Sequence, residues 1–132
     1  FFLKEVKVDG KTIRFQIWDL GGQQHFQFLH EYYLMGLRAA IVMFDLTRPI
    51  TLEHHIEKWI ELLRSENPDL PILLVGTKLD LQEQVYIKDQ DALKYVKEFD
   101  LIDYVKTSAK TGKNVDKVFE VLSKAFMKEG RL

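Results

Sequence analysis

The stretch Trp18-Asp19-Leu20-Gly21-Gly22-Gln23 follows a run, Thr12-Ile13-Arg14-Phe15-Gln16-Ile17, whose side chains alternate as they do in a β-strand. An acidic residue, two glycines and a glutamine therefore stand where a buried strand leaves a sheet, and small ligands of open α/β sheets bind at that edge. The glycines allow a ligand to approach the main chain closely. The Gln23 amide can both donate to and accept from a water molecule. A strand that ends in a Gly-Gly turn capped by Asp19 is the plainer interpretation, and this stretch alone does not separate the two.

The composition indicates one soluble globular domain. The chain has 132 residues, of which 46% are hydrophobic and 30% charged, and this is enough to build a core. The net charge is −1 and no basic run stands out, which disfavours nucleic acid and anionic membrane as partners. There is no cysteine, so a prenyl or palmitoyl anchor has no attachment point within these residues. We expect a cytoplasmic location, with membrane contact only through a lipidated tail outside these residues.

The order of predicted elements is a hairpin followed by alternating strands and helices. Strands are expected at residues 1–8 and 12–18, joined by an Asp9-Gly10 turn, at the apolar runs 39–45 and 72–75, which are typical of strands covered on both faces, and at 104–106. Helices are expected at about residues 26–34, 51–65 with Thr51 as the cap, 89–98 and 114–128. This order predicts an α/β fold with three layers, α/β/α, and a mostly parallel sheet with one antiparallel edge strand.

Three polar clusters follow three of these strands: Asp19 to Gln23, Thr77 to Asp80, and Thr107 to Lys110. Such strand ends converge on one edge of a parallel sheet. The chemistry of the second and third clusters suits guanine. The Asp80 carboxylate can accept two parallel hydrogen bonds, and guanine offers a matching pair of donors. The aliphatic stem of Lys78 can lie along an aromatic base. Taken singly, each cluster is more simply a polar loop.

The third cluster completes the expected base site. The backbone N–H of Ala109 can donate to a carbonyl oxygen of the base, Ser108 can hold the turn, and Lys110 can cover the other face of the base.

In this order the clusters resemble the conserved boxes of the Ras-like small GTPase superfamily. Trp18 to Gln23 resembles the DxxGQ box in its Arf form. Gly76-Thr77-Lys78-Leu79-Asp80 resembles the (N/T)KxD box, with Thr77 in place of the more usual Asn. Thr107-Ser108-Ala109-Lys110 resembles the SAK box, and residues 112–119 resemble the Rab-type start of the last helix. The resemblance covers nearly the whole chain and is nearest to Rab proteins.

The resemblance implies a GTPase that acts as a GTP/GDP molecular switch with bound Mg²⁺. It implies that Gly22 contacts the γ-phosphate through its N–H, that Gln23 is the catalytic residue that orients the attacking water, and that Asp19 holds a water on the magnesium ion. It places effector, exchange-factor and activating proteins on residues 20–37. The implied guanine-base contacts are Thr77, Lys78, Asp80, Ser108, Ala109 and Lys110.

The chain departs from the family pattern because it has no phosphate-binding loop of the form GxxxxGK(S/T). Gly10-Lys11-Thr12 has Glu5 where the first glycine would stand, and it lies in a hairpin turn. We therefore expect residues 1–132 to form a single small-GTPase-like domain that is N-terminally incomplete, lacking the first strand, the P-loop, the first helix and switch I.

Two alternatives stay open on the residues alone. The first is a degenerate GTPase-like interaction module that does not hydrolyse nucleotide. The second is a receiver-like phosphoacceptor domain with Asp45 as the acceptor, although such a domain needs an acidic pair after an early strand and none is present.

Overall fold

The computed structural model describes residues 2–17 and 36–128. Its strands are β1 (Phe2–Val8), β2 (Lys11–Ile17), β3 (Ala40–Asp45), β4 (Ile72–Thr77) and β5 (Tyr104–Lys106). Its α-helices are α1 (Glu57–Glu66), α2 (Asp89–Glu98) and α3 (Val115–Lys128). A π-helical segment, Thr51–Ile56, runs directly into α1, and a short 3₁₀ turn covers Gln82–Gln84. These bounds agree closely with the predicted elements, except that the helix expected at residues 26–34 lies outside the described residues.

The hairpin forms as the Asp9-Gly10 pair predicts. β1 and β2 pair antiparallel, from Phe2 opposite Ile17 to Val8 opposite Lys11. The φ angles of Asp9 and Gly10 are +50° and +78°. Positive φ at both central residues is what a type I′ turn requires, and this turn follows the natural twist of the two strands.

The parallel sheet has β4 at its centre, with β3 and β5 on its two sides. Asp45 at the end of β3 is the register partner of Thr77 at the end of β4, and Gly76 is the partner of Lys106 at the end of β5. The carboxyl ends of all three strands therefore lie at one edge. β4 is buried from Ile72 to Val75, with exposed fractions of at most 1%, as its unbroken apolar run predicts.

Two hydrophobic clusters cover the two faces of this sheet, and they confirm the three-layer arrangement. Alternate residues of a strand point to opposite faces. Ile72 and Leu74 of β4 belong to a cluster with Ile56 and Ile60 of the helical segment 51–66 and with Ala92 of α2. The intervening residues Leu73 and Val75 belong to a second cluster with Val118, Leu122 and Phe126 of α3.

The hairpin does not supply the predicted antiparallel edge of the main sheet. In the described part of the chain β2 pairs with β1 alone, and the three-stranded sheet is wholly parallel. The hairpin contacts α3 through side chains instead. The rings of Phe15 and Phe119 meet edge to face with their centroids 5.3 Å apart, and Lys4 Nζ lies 3.2 Å from Asp116 Oδ1. Side-chain contacts with α3 therefore hold the hairpin against the rest of the described fold.

Two local predictions need correction. β3 was expected to be covered on both faces, and its residues do join the clusters on both faces, with Val42 and Phe44 on one and Ile41 on the other, but Met43 is 59% exposed. Thr51 was expected to cap its helix, yet the N-cap position is Ile50 and carries no side-chain bond. The Thr51 hydroxyl lies instead against the end of β3, where it accepts from the backbone N–H of Asp45 (2.9 Å) and is within 2.7 Å of the Arg48 carbonyl oxygen.

None of the helices within residues 2–17 and 36–128 combines the length and the apolar character that crossing a membrane would need.

Candidate functional site

The loops that follow β4 and β5 are joined at the carboxyl edge of the sheet, as predicted. The backbone N–H of Leu79 donates to the carbonyl oxygen of Thr107 (2.9 Å). The Ser108 hydroxyl donates to Asp80 Oδ1 (2.7 Å). The second and third polar clusters therefore form one constellation. The first cluster, with Asp19, Gly22 and Gln23, lies outside the described residues.

Ser108 organises the loop that begins at Thr107. Its side chain is buried, with 1% of the residue exposed. Its carbonyl oxygen accepts from the N–H of Gly112 (2.8 Å), and its hydroxyl oxygen accepts from the N–H of Thr111 (3.1 Å) while donating to Asp80. One buried hydroxyl thus closes its own turn and fixes a carboxylate on the neighbouring loop.

Two residues with left-handed backbone let this loop return to the sheet. Gly112 has φ +79° and Asn114 has φ +63°, and the Asn114 amide donates to the Lys106 carbonyl oxygen (2.8 Å). Ala109 and Lys110, at the tip, are exposed. They stand where the sequence places them, next to the Ser108–Asp80 bond, and their contacts with a base stay predictions.

Asp80 presents a half-buried carboxylate in one orientation. Because Ser108 donates to Oδ1, that oxygen is held as an acceptor, and each carboxylate oxygen has two lone pairs. Both oxygens can therefore still accept hydrogen bonds from a ligand that carries two parallel donors.

Thr77 and Lys78 connect the site to β3. The Thr77 hydroxyl donates to the Phe44 carbonyl oxygen (3.0 Å), so that it ties β4 to β3. Lys78 has φ +67°, a left-handed backbone that non-glycine residues rarely adopt. Its ammonium lies 2.8 Å from Asp45 Oδ2.

The contact with Asp45 was not predicted in this role. The only signal in the sequence was its position at the end of a buried strand that shares the sheet edge. The Asp45 carboxylate also accepts from the N–H and the hydroxyl of Thr47 (2.8 and 2.6 Å). Burial alone would raise the pKa of Asp45, but the bonds from Lys78 and Thr47 outweigh it and hold the pKa below its ordinary value.

No group of three or more side chains that could hold a metal ion occurs within residues 2–17 and 36–128. Asp19, the residue expected near magnesium, lies outside these ranges. The predicted magnesium contact of Asp19 therefore stays a prediction.

The loops Thr77 to Asp80 and Thr107 to Lys110 thus meet at the carboxyl edge of a parallel sheet flanked by helices, which is where open α/β sheets bind their ligands. Residues 1–128 match the Ras family. The chain therefore belongs to the Ras family of small GTPases, and its similarities lie with the Rab proteins. Family membership replaces the receiver-like interpretation of Asp45.

Several Rab proteins are similar along nearly the whole chain. Rab-19 of Bos taurus is 34% identical over 128 residues, which is 96% of this chain and 58% of the relative. Rab-1 of Theileria parva is 35% identical over 126 residues, which is 95% of this chain and 57% of the relative. Rab-19 of Homo sapiens is 33% identical over 133 aligned positions, which is 100% of this chain and 61% of the relative. The chain thus spans about three fifths of the length of these relatives.

Proposed function

We propose that the loops after β4 and β5 bind the guanine base of GTP and GDP, and that the chain is part of a GTP-dependent molecular switch. The observation that carries this proposal is the 2.7 Å bond from the buried Ser108 hydroxyl to Asp80. It holds the Asp80 carboxylate as a fixed pair of acceptors beside the exposed Ala109 and Lys110.

The chemistry of guanine supports this assignment. Its ring N–H and exocyclic amine are parallel donors that match the two oxygens of Asp80. The exposed stem of Lys78 can support one face of the ring, and Lys110 can cover the other. The backbone N–H of Ala109 can donate to the base carbonyl oxygen. Adenine offers an acceptor at the edge where guanine offers a ring N–H, so Asp80 would discriminate against it.

The switch and hydrolysis functions rest on the family resemblance. We propose that Gln23 orients the water that attacks the γ-phosphate, that Gly22 contacts this phosphate, and that Asp19 holds a water on Mg²⁺. Effector, exchange-factor and activating proteins would bind through residues 20–37. The phosphate-binding loop that these steps need has no counterpart in the 132 residues. We propose that residues 1–132 are the part of a small-GTPase domain that follows this loop and switch I.

The test is a change of base preference in the complete natural protein that carries these residues. Asp80→Asn gives the site an amide that can donate to the extra carbonyl oxygen of xanthine and accept from its ring N–H. Leaving a buried polar group unpaired costs about 1–3 kcal/mol. We therefore expect Asp80→Asn to weaken GDP and strengthen XDP, each by about tenfold or more.

Competition between GDP and XDP for a fluorescent nucleotide measures the two affinities. Asp69→Asn, at an exposed position in the turn before β4, is the matched control and should leave both unchanged. If Asp80→Asn lowers the affinities for both nucleotides equally, Asp80 does not read the base. If the unvaried protein binds neither GDP nor GTP, the alternative of an interaction module without nucleotide is favoured.

A further inference from the structure

Asp45, the last residue of β3, has a carboxylate that is held in place by both oxygens. Its side chain is only 13% exposed. Oδ1 accepts from the N–H and the hydroxyl of Thr47, at 2.8 and 2.6 Å. Oδ2 lies 2.8 Å from Lys78 Nζ. A carboxylate bonded in this way has one orientation, so it presents a fixed negative charge to the loop after β4.

Lys78 combines a constrained backbone, an anchored ammonium and an exposed stem. Its φ of +67° is uncommon for a residue with a side chain, and such conformations persist where the surroundings impose them. The next residue, Leu79, is bonded through its N–H to Thr107. The Lys78 side chain is 55% exposed although its end is paired with Asp45. A stem that is accessible along its length and fixed at its end is suited to lie against a flat ring.

We propose that Asp45 is a positioning residue for the base site, which tethers the Lys78 ammonium so that the Lys78 stem is already ordered next to Asp80 when a purine nucleotide binds. This inference rests on the proposed guanine-nucleotide function. An untethered lysine side chain loses conformational freedom when a ligand immobilises it. The tether removes that cost before binding, and preordering of this kind strengthens binding without any new contact.

The ionisation of Asp45 agrees with this role. Its carboxylate would be harder to ionise if burial acted alone, but the Lys78 and Thr47 contacts lower its pKa below the ordinary value. Asp45 is therefore charged at neutral pH, and the tether is present under the conditions in which nucleotide would bind.

The test is a double-mutant cycle on nucleotide release from the complete natural protein. Asp45→Asn removes the charge that faces Lys78, while the amide oxygen can still accept from Thr47. Lys78→Met keeps an aliphatic side chain and removes the tethered ammonium. Loading with mant-GDP and chasing with unlabelled GDP gives the dissociation rate. We expect Asp45→Asn to accelerate release about fivefold, since part of the lysine's freedom returns.

Whether the effects of the two substitutions on the dissociation rate add shows whether Asp45 acts through Lys78 or stabilises the site in general. If Asp45 acts through Lys78, the double variant releases nucleotide no faster than Lys78→Met alone. If Asp45→Asn accelerates nucleotide release as much in the Lys78→Met variant as in the parent protein, the proposal is overturned. Asp89→Asn is the matched control, because Asp89 forms a 3.0 Å ion pair with Lys106 at the end of β5. It should leave the release rate unchanged.

A second measurement needs no nucleotide. In the complete natural protein without nucleotide, carboxyl NMR should show the pKa of Asp45 rising in Lys78→Met, and an unchanged pKa would show that the tether does not exist. If the unvaried complete protein does not retain mant-GDP, the proposed function fails and this inference fails with it. If it retains mant-GDP and Asp45→Asn has no effect on release, only the positioning role is refuted.

Discussion

The hydrogen bond between Ser108 and Asp80 should stabilise the fold, and this can be tested without nucleotide. Ser108→Ala removes the hydroxyl that donates to Asp80 Oδ1 at 2.7 Å and that accepts from Thr111 N–H at 3.1 Å. Because Thr111 is exposed, water can replace the second bond. The first bond joins a buried hydroxyl to a carboxylate, so its loss should dominate the effect on stability.

The size of the effect follows from the burial of the two partners. A hydrogen bond to a charged group contributes about 1.5–3 kcal/mol, whereas an ordinary one contributes about 1 kcal/mol. Asp80 is only partly buried and regains some hydration when Ser108 is truncated. We therefore expect Ser108→Ala to lower the free energy of unfolding by about 2 kcal/mol, with about 1–2 kcal/mol of coupling to Asp80.

Urea unfolding of the 132-residue chain, followed by far-UV circular dichroism, gives the required values. The cycle needs Ser108→Ala, Asp80→Ala and the double variant. Ser65→Ala is the matched control, because the Ser65 hydroxyl donates to the Leu62 carbonyl oxygen on an exposed helix surface. It should change stability by less than about 0.5 kcal/mol. Effects of Ser108→Ala and Asp80→Ala that add within about 0.5 kcal/mol would refute the bond as the link between the two loops.

Four further predictions concern the sheet edge and hydrolysis. Gly76→Ala should destabilise the chain by about 1–3 kcal/mol in urea unfolding, because the new Cβ would lie 2.8 Å from a terminal carbon of the fully buried Leu46. Tyr104→Phe should be neutral or stabilise the chain by up to about 1 kcal/mol, since the Tyr104 hydroxyl is buried without a partner among the described residues. Gln23→Leu in the complete protein should slow single-turnover GTP hydrolysis by about 100-fold or more with little loss of GTP affinity, and an unchanged rate would contradict its role. Although burial raises the pKa of Asp45, the bonds from Lys78 and Thr47 hold it below its ordinary value, so the ion pair stabilises the fold at neutral pH and this stabilisation is lost as the pH falls through the lowered pKa. The unfolding free energies of the parent chain and Asp45→Asn should therefore differ at about pH 7 and converge in acid.

The positions of the loops after β4 and β5 could be predicted from the sequence because they follow from the strands before them. Ile72 to Val75 is an unbroken apolar run, which is typical of a strand covered on both faces, and all four residues are buried. A short strand that follows one more helix is then expected to lie parallel to it. The loops that begin at Thr77 and Thr107 therefore meet, as the Leu79–Thr107 bond shows. Residue type, spacing and strand order were sufficient here.

The contacts of the Thr51 hydroxyl and of the hairpin could not be predicted, because several neighbouring groups could have served as partners for each. Thr51 had the right residue type and place for a helix cap, but its hydroxyl accepts from the N–H of Asp45 at the end of β3 and donates to the carbonyl oxygen of Arg48. The hairpin was likewise expected to pair with the parallel sheet, but within the described residues β2 pairs with β1 alone, and Phe15 packs against Phe119 of α3. In each case the sequence pattern predicted the helix or the hairpin correctly but did not indicate which neighbouring segment it contacts.

The Asp45–Lys78 pair shows why a binding site is harder to predict than a motif. Lys78 belongs to a box that the sequence identifies, and its predicted task was to support a base with its stem. Where that stem points depends on the left-handed backbone of Lys78 and on a carboxylate 33 residues earlier in the chain, brought close because Asp45 and Thr77 are register partners. The motif therefore specifies the group that touches the ligand, while the register of the parallel sheet specifies the group that holds it in place. If Asp45→Asn accelerates release only when Lys78 is present, base recognition in this protein extends to a strand that carries no base-reading motif.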